Sequence, residues 1–230
     1  MVPLAFYYFR ETLKHSYVPK TTCWIIAMGK VVHFGVWIVL AILAVCVESM
    51  GSPPGESELT IITRAQWGAR QPKSRANLTS PVPYVIIHHS YEPDVCLNRS
   101  QCEKYVRGIQ NFHMDTRGWD DIGYNFLVGG NGDVFEGRGW GVKGAQAGPD
   151  WNNRSIGICF IGDFTDKLPP KEAITAGKAL IQLGVDKKKL VANYTLYGHR
   201  QVRPTECPGN EFFNLVTHWD HWEPRNYTAE

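Results

Sequence analysis

Three residues in two short strings have the types and spacing that hold a metal ion. His88 closes the apolar run VIIHHS, and His199 and Cys207 stand eight positions apart in YGHRQVRPTECPG. A loop between them, followed by Pro-Gly, lets the sulfur fold back toward the imidazole. A helix N-terminus at Cys207 would lower the thiol's pKa and favour the ligating thiolate. With His88 brought in from a neighbouring strand, the donor set is His, His, Cys. Three protein ligands without an obvious fourth fit a catalytic zinc, one per chain, whose open position takes water; structural sites close with four. Zinc brings the pKa of that water to about 7 and polarises a carbonyl, so amide hydrolysis becomes feasible near neutrality. The residues alone leave other accounts open. His89 and His113 also read as core or surface histidines, Cys207 as a half-cystine with Cys159, and the His/Cys set as a purely structural site whose demetallation unfolds the domain.

The elements that must deliver these groups follow from periodicity. Pro83 to His88 (PYVIIH) reads as a buried inner strand carrying His88 at its end. From Cys102 on, Tyr105, Val106, Ile109, Phe112 and His113 recur at helical spacing, with Gly118 as the stop. Tyr124 to Val128, the turn Gly129-Gly130-Asn131-Gly132 and Val134 to Glu136 predict a β-hairpin. Ser155 to Ile161 is a further buried strand, and Lys171 to Leu183 a helix ended by Gly184. Leu196 to Gly198 is a short strand before His199, and a last helix begins at Pro208 with Phe212, Phe213, Leu215, Val216 and Trp219 on its apolar face. Strands interleaved with helices define an α/β fold, a central mixed β-sheet flanked by helices.

Bulk properties place this domain outside the cytosol. Val31 to Val47 is apolar apart from His33, and read from Met28 the order Met-Gly-Lys, apolar run, then Gly/Ser/Pro is that of a secretory signal peptide. Read from Met1, Arg10, Lys14, Lys20 and Lys30 precede the run, so an uncleaved leader would be a type II membrane anchor. Residues 1–50 are thus an N-terminal extension, 57–222 one folded domain and 223–230 a short tail. Asn77, Asn98, Asn153, Asn193 and Asn226 each begin an N-x-S/T triplet, the acceptor pattern of a glycoprotein. Cys96 and Cys102 close a short loop of the kind a disulfide stabilises in an oxidising compartment, while Cys159 inside SIGICFIG reads as a buried small hydrophobe. A formal net charge of +2 with no run of five or more like charges gives no reason to expect nucleic acid.

Five strings are more specific than any of these patterns: ITRAQWGAR, YVIIHHS, GWDDIGYNFLVGGNGDVFEGRGW, SIGICFIGDF and YGHRQVRPTECPG. In order and spacing they resemble the peptidoglycan recognition protein family over roughly residues 57–222, most closely its insect, LB-type amidase branch. The resemblance implies the fold of phage-type muramoyl amidases and a zinc-dependent N-acetylmuramoyl-L-alanine amidase acting on bacterial peptidoglycan. It implies His88, His199 and Cys207 as zinc ligands, Tyr124 as partner of the water or oxyanion, and Thr205 at the family's remaining catalytic position. Gly118, Trp119 and Arg138 match family positions that go with diaminopimelate-type stems, and His113 and Arg117 the groove that holds the muropeptide. Non-catalytic members replace the cysteine; this chain keeps it. The same resemblance implies scavenging of muropeptides in innate immunity, with a non-cutting peptidoglycan receptor as the alternative.

Overall fold

The computed structural model describes residues 59–227. Both expectations for the leader lie outside the described residues. Among those residues, no helix is long and apolar enough to cross a membrane.

Six strands form one mixed sheet: β1 (Ile61–Ile62), β2 (Val82–His89), β3 (Phe126–Val128), β4 (Val134–Glu136), β5 (Ser155–Phe160) and β6 (Leu190–Gly198), in the order β1-β4-β3-β5-β2-β6. Only the β3–β4 hairpin is antiparallel. The helices are α1 (Arg99–Asn111), α2 (Pro149–Asn152), α3 (Lys171–Asp186) and α4 (Asn210–Val216). Inner strands β2 and β5 read as unbroken apolar runs because both of their faces are covered. Val85, Ile87, Ile158 and Phe160 pack with Leu180 of α3 and Phe212 of α4. Leu127, Phe135 and Cys159 point the other way, onto Val106 and Ile109 of α1. His88 is the register partner of Cys159, so alternation puts it on the α1 side of the sheet.

Several boundaries depart from the sequence pattern, each for a local reason. Helix α1 starts at Arg99, three residues before Cys102, because Asn98 is extended (φ −145°) and its side chain accepts the Gln101 N–H. A Cys96–Cys102 disulfide, with Cα atoms 5.1 Å apart, ties this cap to the first turn. Cys96→Ser/Cys102→Ser is expected to cost about 2 kcal/mol for so short a loop, or about 4–8 °C in a thermal melt. An unchanged melt would mean that the cap and the buried contacts hold the segment unaided. At its other end α1 widens into a π-helical turn, Phe112–Thr116. This turns Phe112 outward to 47% exposure, off the packed face expected for it, while His113 stays buried.

Gly184 does not stop α3, which runs on to Asp186. A Cβ at Gly184 would come within 2.7 Å of the Trp140 ring, so the glycine marks a close approach of helix to loop. The turn out of α3 is made by Lys188 (φ 54°). Strand β6 is nine residues long; its exposed middle, Ala192 and Asn193, hides it from an apolar pattern. The last helix begins at Asn210, not Pro208, because Gly209 (φ 93°) lies tucked against the Phe164 backbone in a conformation no helix uses. Cys207 is therefore not at a helix N-terminus.

Candidate metal centre and cleft

Parallel pairing builds the cluster. Ile87 is in register with Gly198, so β2 and β6 end side by side and present His88 and His199 together, at the carboxyl ends of the strands. A 3₁₀ turn (His199–Gln201) leads into the loop that returns to Cys207. Arg200 closes this loop: its N–H donates to the Cys207 carbonyl (2.9 Å), and its guanidinium bonds the Glu206 carbonyl and Asn210 Oδ1. The potential ligand atoms of His88, His199 and Cys207 all lie within 4.8 Å of one another, and Cys207 Sγ is 3.9 Å from His88 Nδ1. Cys159 and Cys207 are both free thiols, which removes the half-cystine account.

The donor set suits a metal electrostatically. Burial, then the neighbouring His199 and His89, hold His88 well below the usual imidazole range. Burial and then Arg203 bring His199 to about 4. Both rings are therefore neutral, the form that ligates. His88 Nε2 is buried with no protein partner. The Cys207 thiol is pushed up to about 12 by burial, against the pull of the His89 N–H and Arg200. The expectation that a helix end would ionise this thiol is thus corrected: the protein alone disfavours the thiolate, and only a cation in the cluster would favour it.

Beside the cluster runs a cleft of about 770 Å³, lined by Tyr91, Tyr105, Phe112, His113, Arg117 and Tyr124 among others. The Tyr124 ring stands 5.3 Å from that of His88. Burial foremost, then the Cys159 and Cys207 sulfurs, raise the Tyr124 hydroxyl well above its ordinary value, so it remains an O–H donor. His113 is lowered to about 4 by burial and then by Arg117 and Arg138. Its Nδ1 accepts the Gly123 N–H (3.0 Å), which leaves the proton on Nε2. Arg117 lies over the rings of Phe112 and Trp119, and Trp119 packs at a tilt against His113. Gly118 (φ 70°) makes the turn that brings Trp119 back onto the π turn.

Two expected site residues, Thr205 and Arg138, do not line the cleft. The Thr205 hydroxyl accepts the Cys207 N–H (3.2 Å), inside the ligand loop. Arg138 is not in the cleft wall: it donates to the carbonyls of Ile122 and Lys143 and lines a separate depression with Arg64 and Asp121. Sequence reasoning missed the buried polar props. Asn125 accepts the Gly157 N–H and donates to Gly139 and Val142, locking the hairpin that carries Tyr124. Gln201, 2% exposed, accepts from the Gly198 N–H and from Trp222 Nε1, and donates to the Glu223 and Arg225 carbonyls. All but Gly198 of these partners are distant in sequence, so the main local signal is polarity inside an apolar or ligand-bearing segment.

Residues 78–210 match a family model described as N-acetylmuramoyl-L-alanine amidase. The chain is 48% identical to peptidoglycan-recognition protein LB of Drosophila melanogaster over 76% of its own length and 75% of the relative's. With peptidoglycan recognition protein 1 of Bos taurus it shares 37% identity over 81% and 94%. Among solved structures, wild-type Drosophila PGRP-LB superposes with a TM-score of 0.72 at 48% identity, covering 74% of this chain and 99% of that one. The fold is that of the muramoyl amidases. Within that class, the chain belongs to the peptidoglycan recognition protein family.

Proposed function

We propose that the chain is a zinc-dependent N-acetylmuramoyl-L-alanine amidase that cuts the lactyl amide between N-acetylmuramic acid and L-alanine in bacterial peptidoglycan. The observation that carries this reading is the convergence of His88, His199 and Cys207 beside a cleft whose wall includes Tyr124. Relatives support the substrate class: a mutant of Drosophila PGRP-LB is described in complex with tracheal cytotoxin, and so is PGRP-LE, whose ligand is termed monomeric diaminopimelic acid-type peptidoglycan. Zinc, if held by His88, His199 and Cys207, would supply Lewis-acid activation of water and of the scissile carbonyl. Neutral His88 and His199 need lose no proton to hold it. Tyr124, kept protonated, donates its O–H to the developing oxyanion of the lactyl carbonyl. Thr205 fixes the ligand loop through the Cys207 N–H. His113 Nε2–H and the stacked Arg117 line the path of the peptide stem. The Cys96–Cys102 bridge supports work in an oxidising compartment, outside the cytosol. The test is mass spectrometry of diaminopimelate-type muropeptide incubated with the zinc-loaded ectodomain. Free stem peptide is the expected product; bound but uncut muropeptide would leave a receptor.

Stem preference is the finer part of the proposal. Diaminopimelate adds a carboxylate where lysine-type stems have none, and Arg138, in the depression outside the cleft wall, has Nη2 left over from its two carbonyl bonds for a stem that extends past the cleft. Arg138→Ala is expected to lower kcat/KM on diaminopimelate stems about tenfold and to leave lysine-type stems unchanged. Arg117→Ala should weaken both. Equal losses on both substrates for Arg138→Ala would make that arginine a prop of the 118–123 segment.

A further inference from the structure

Away from the cleft, a depression of about 140 Å³ collects Arg154, Arg203 and Arg225 with Asp150, Trp151 and Tyr227 in its lining. Arg64, Arg70, Arg99, Arg200 and Lys167 all find carboxylates; among the described residues these three arginines find none. Two of the guanidiniums are held against Trp151, and the backbones of Arg203 and Arg225 are anchored. Arg154 donates to the Asp150 carbonyl (3.1 Å) and lies 4.6 Å from the Trp151 ring centroid, while Arg225 lies 5.2 Å from it. Arg203 begins with an N–H bonded to the His199 carbonyl (3.0 Å). Arg225 is brought there because Gln201 binds its carbonyl and that of Glu223.

We infer that this depression is a second binding site, for a phosphate group carried on a sugar. Three guanidiniums exceed what one carboxylate can accept, whereas a phosphomonoester offers three terminal oxygens to charge-assisted bonds. Asp150 repels a bare anion but accepts a hydroxyl hydrogen from a sugar attached to it. Trp151 is covered by the guanidiniums it orients, and Tyr227 supplies the aromatic face for the ring. Binding there needs no bond to break.

The test is calorimetric titration of the full ectodomain with N-acetylglucosamine 6-phosphate, N-acetylglucosamine, inorganic phosphate and a short oligonucleotide. Asn153 and Asn226, both N-x-S/T positions, flank the depression, so the chain is first treated with an endoglycosidase. The phosphosugar is expected to bind more tightly than either the sugar or phosphate alone. Arg154→Gln and Arg225→Gln should each weaken it about tenfold without changing peptidoglycan cleavage. Asp150→Asn should weaken the phosphosugar and strengthen inorganic phosphate. No phosphosugar binding, or binding untouched by the arginine variants, overturns the site. Equal or tighter binding of phosphate, or of the oligonucleotide, overturns the sugar assignment, as does an Asp150→Asn effect of the same sign on both anions.

Discussion

Cys207→Ser should abolish release of stem peptide, lowering kcat/KM by about a thousandfold or more, since metal activation is worth several kcal/mol. The substituted side chain keeps a polar atom for the His89 N–H that now donates to Cys207 Sγ (3.3 Å), so folding should survive. What is lost is the soft ligand: serine is not ionised by zinc as a thiol is, and two imidazoles alone hold the ion weakly. Zinc per chain, measured by plasma mass spectrometry, should fall in step with activity while the melting temperature of the metal-free forms stays alike. A serine variant that retains both zinc and turnover would remove Cys207 from the site. A variant that unfolds on losing zinc would instead make the cluster structural.

Tyr124→Phe should lower kcat by about a hundred- to a thousandfold, the usual effect of deleting one oxyanion donor, with KM and zinc content little changed. The deletion removes only an oxygen from a ring that remains packed between His88 and His113. A loss confined to KM would mean that Tyr124 holds the stem and does not touch the reacting carbonyl.

The legibility of the site in the sequence tracks the range of the interactions. His88 could be placed because β2 is a run of apolar residues buried on both faces, a local pattern. The pairing of His199 with Cys207 was visible as a spacing in a loop. What could not be read was the state of the thiol. A helix start at Pro208 looked sound from proline's preference for a first turn, but contact between Gly209 and the Phe164 backbone moves it to Asn210. Phe112 and Gly184 were misread for the same kind of reason: a π turn rotates one outward, and the Trp140 ring decides the other. Asn125 and Gln201, which bind backbone atoms well beyond their own turns, carry no signature except being polar in buried places.

Gln201 also bears on how the protein can be handled. It sits two residues past His199 and grips the backbone at Glu223 and Arg225, so the carboxyl-terminal tail is fastened to the metal-ligand segment. A truncation after Trp219, or a fusion joined before Glu223, would strip Gln201 of both carbonyl acceptors and leave a buried amide nitrogen unpaired next to a ligand. Tags and immobilisation linkers therefore belong beyond Tyr227, where a pull on the chain end is taken up before it reaches the histidine.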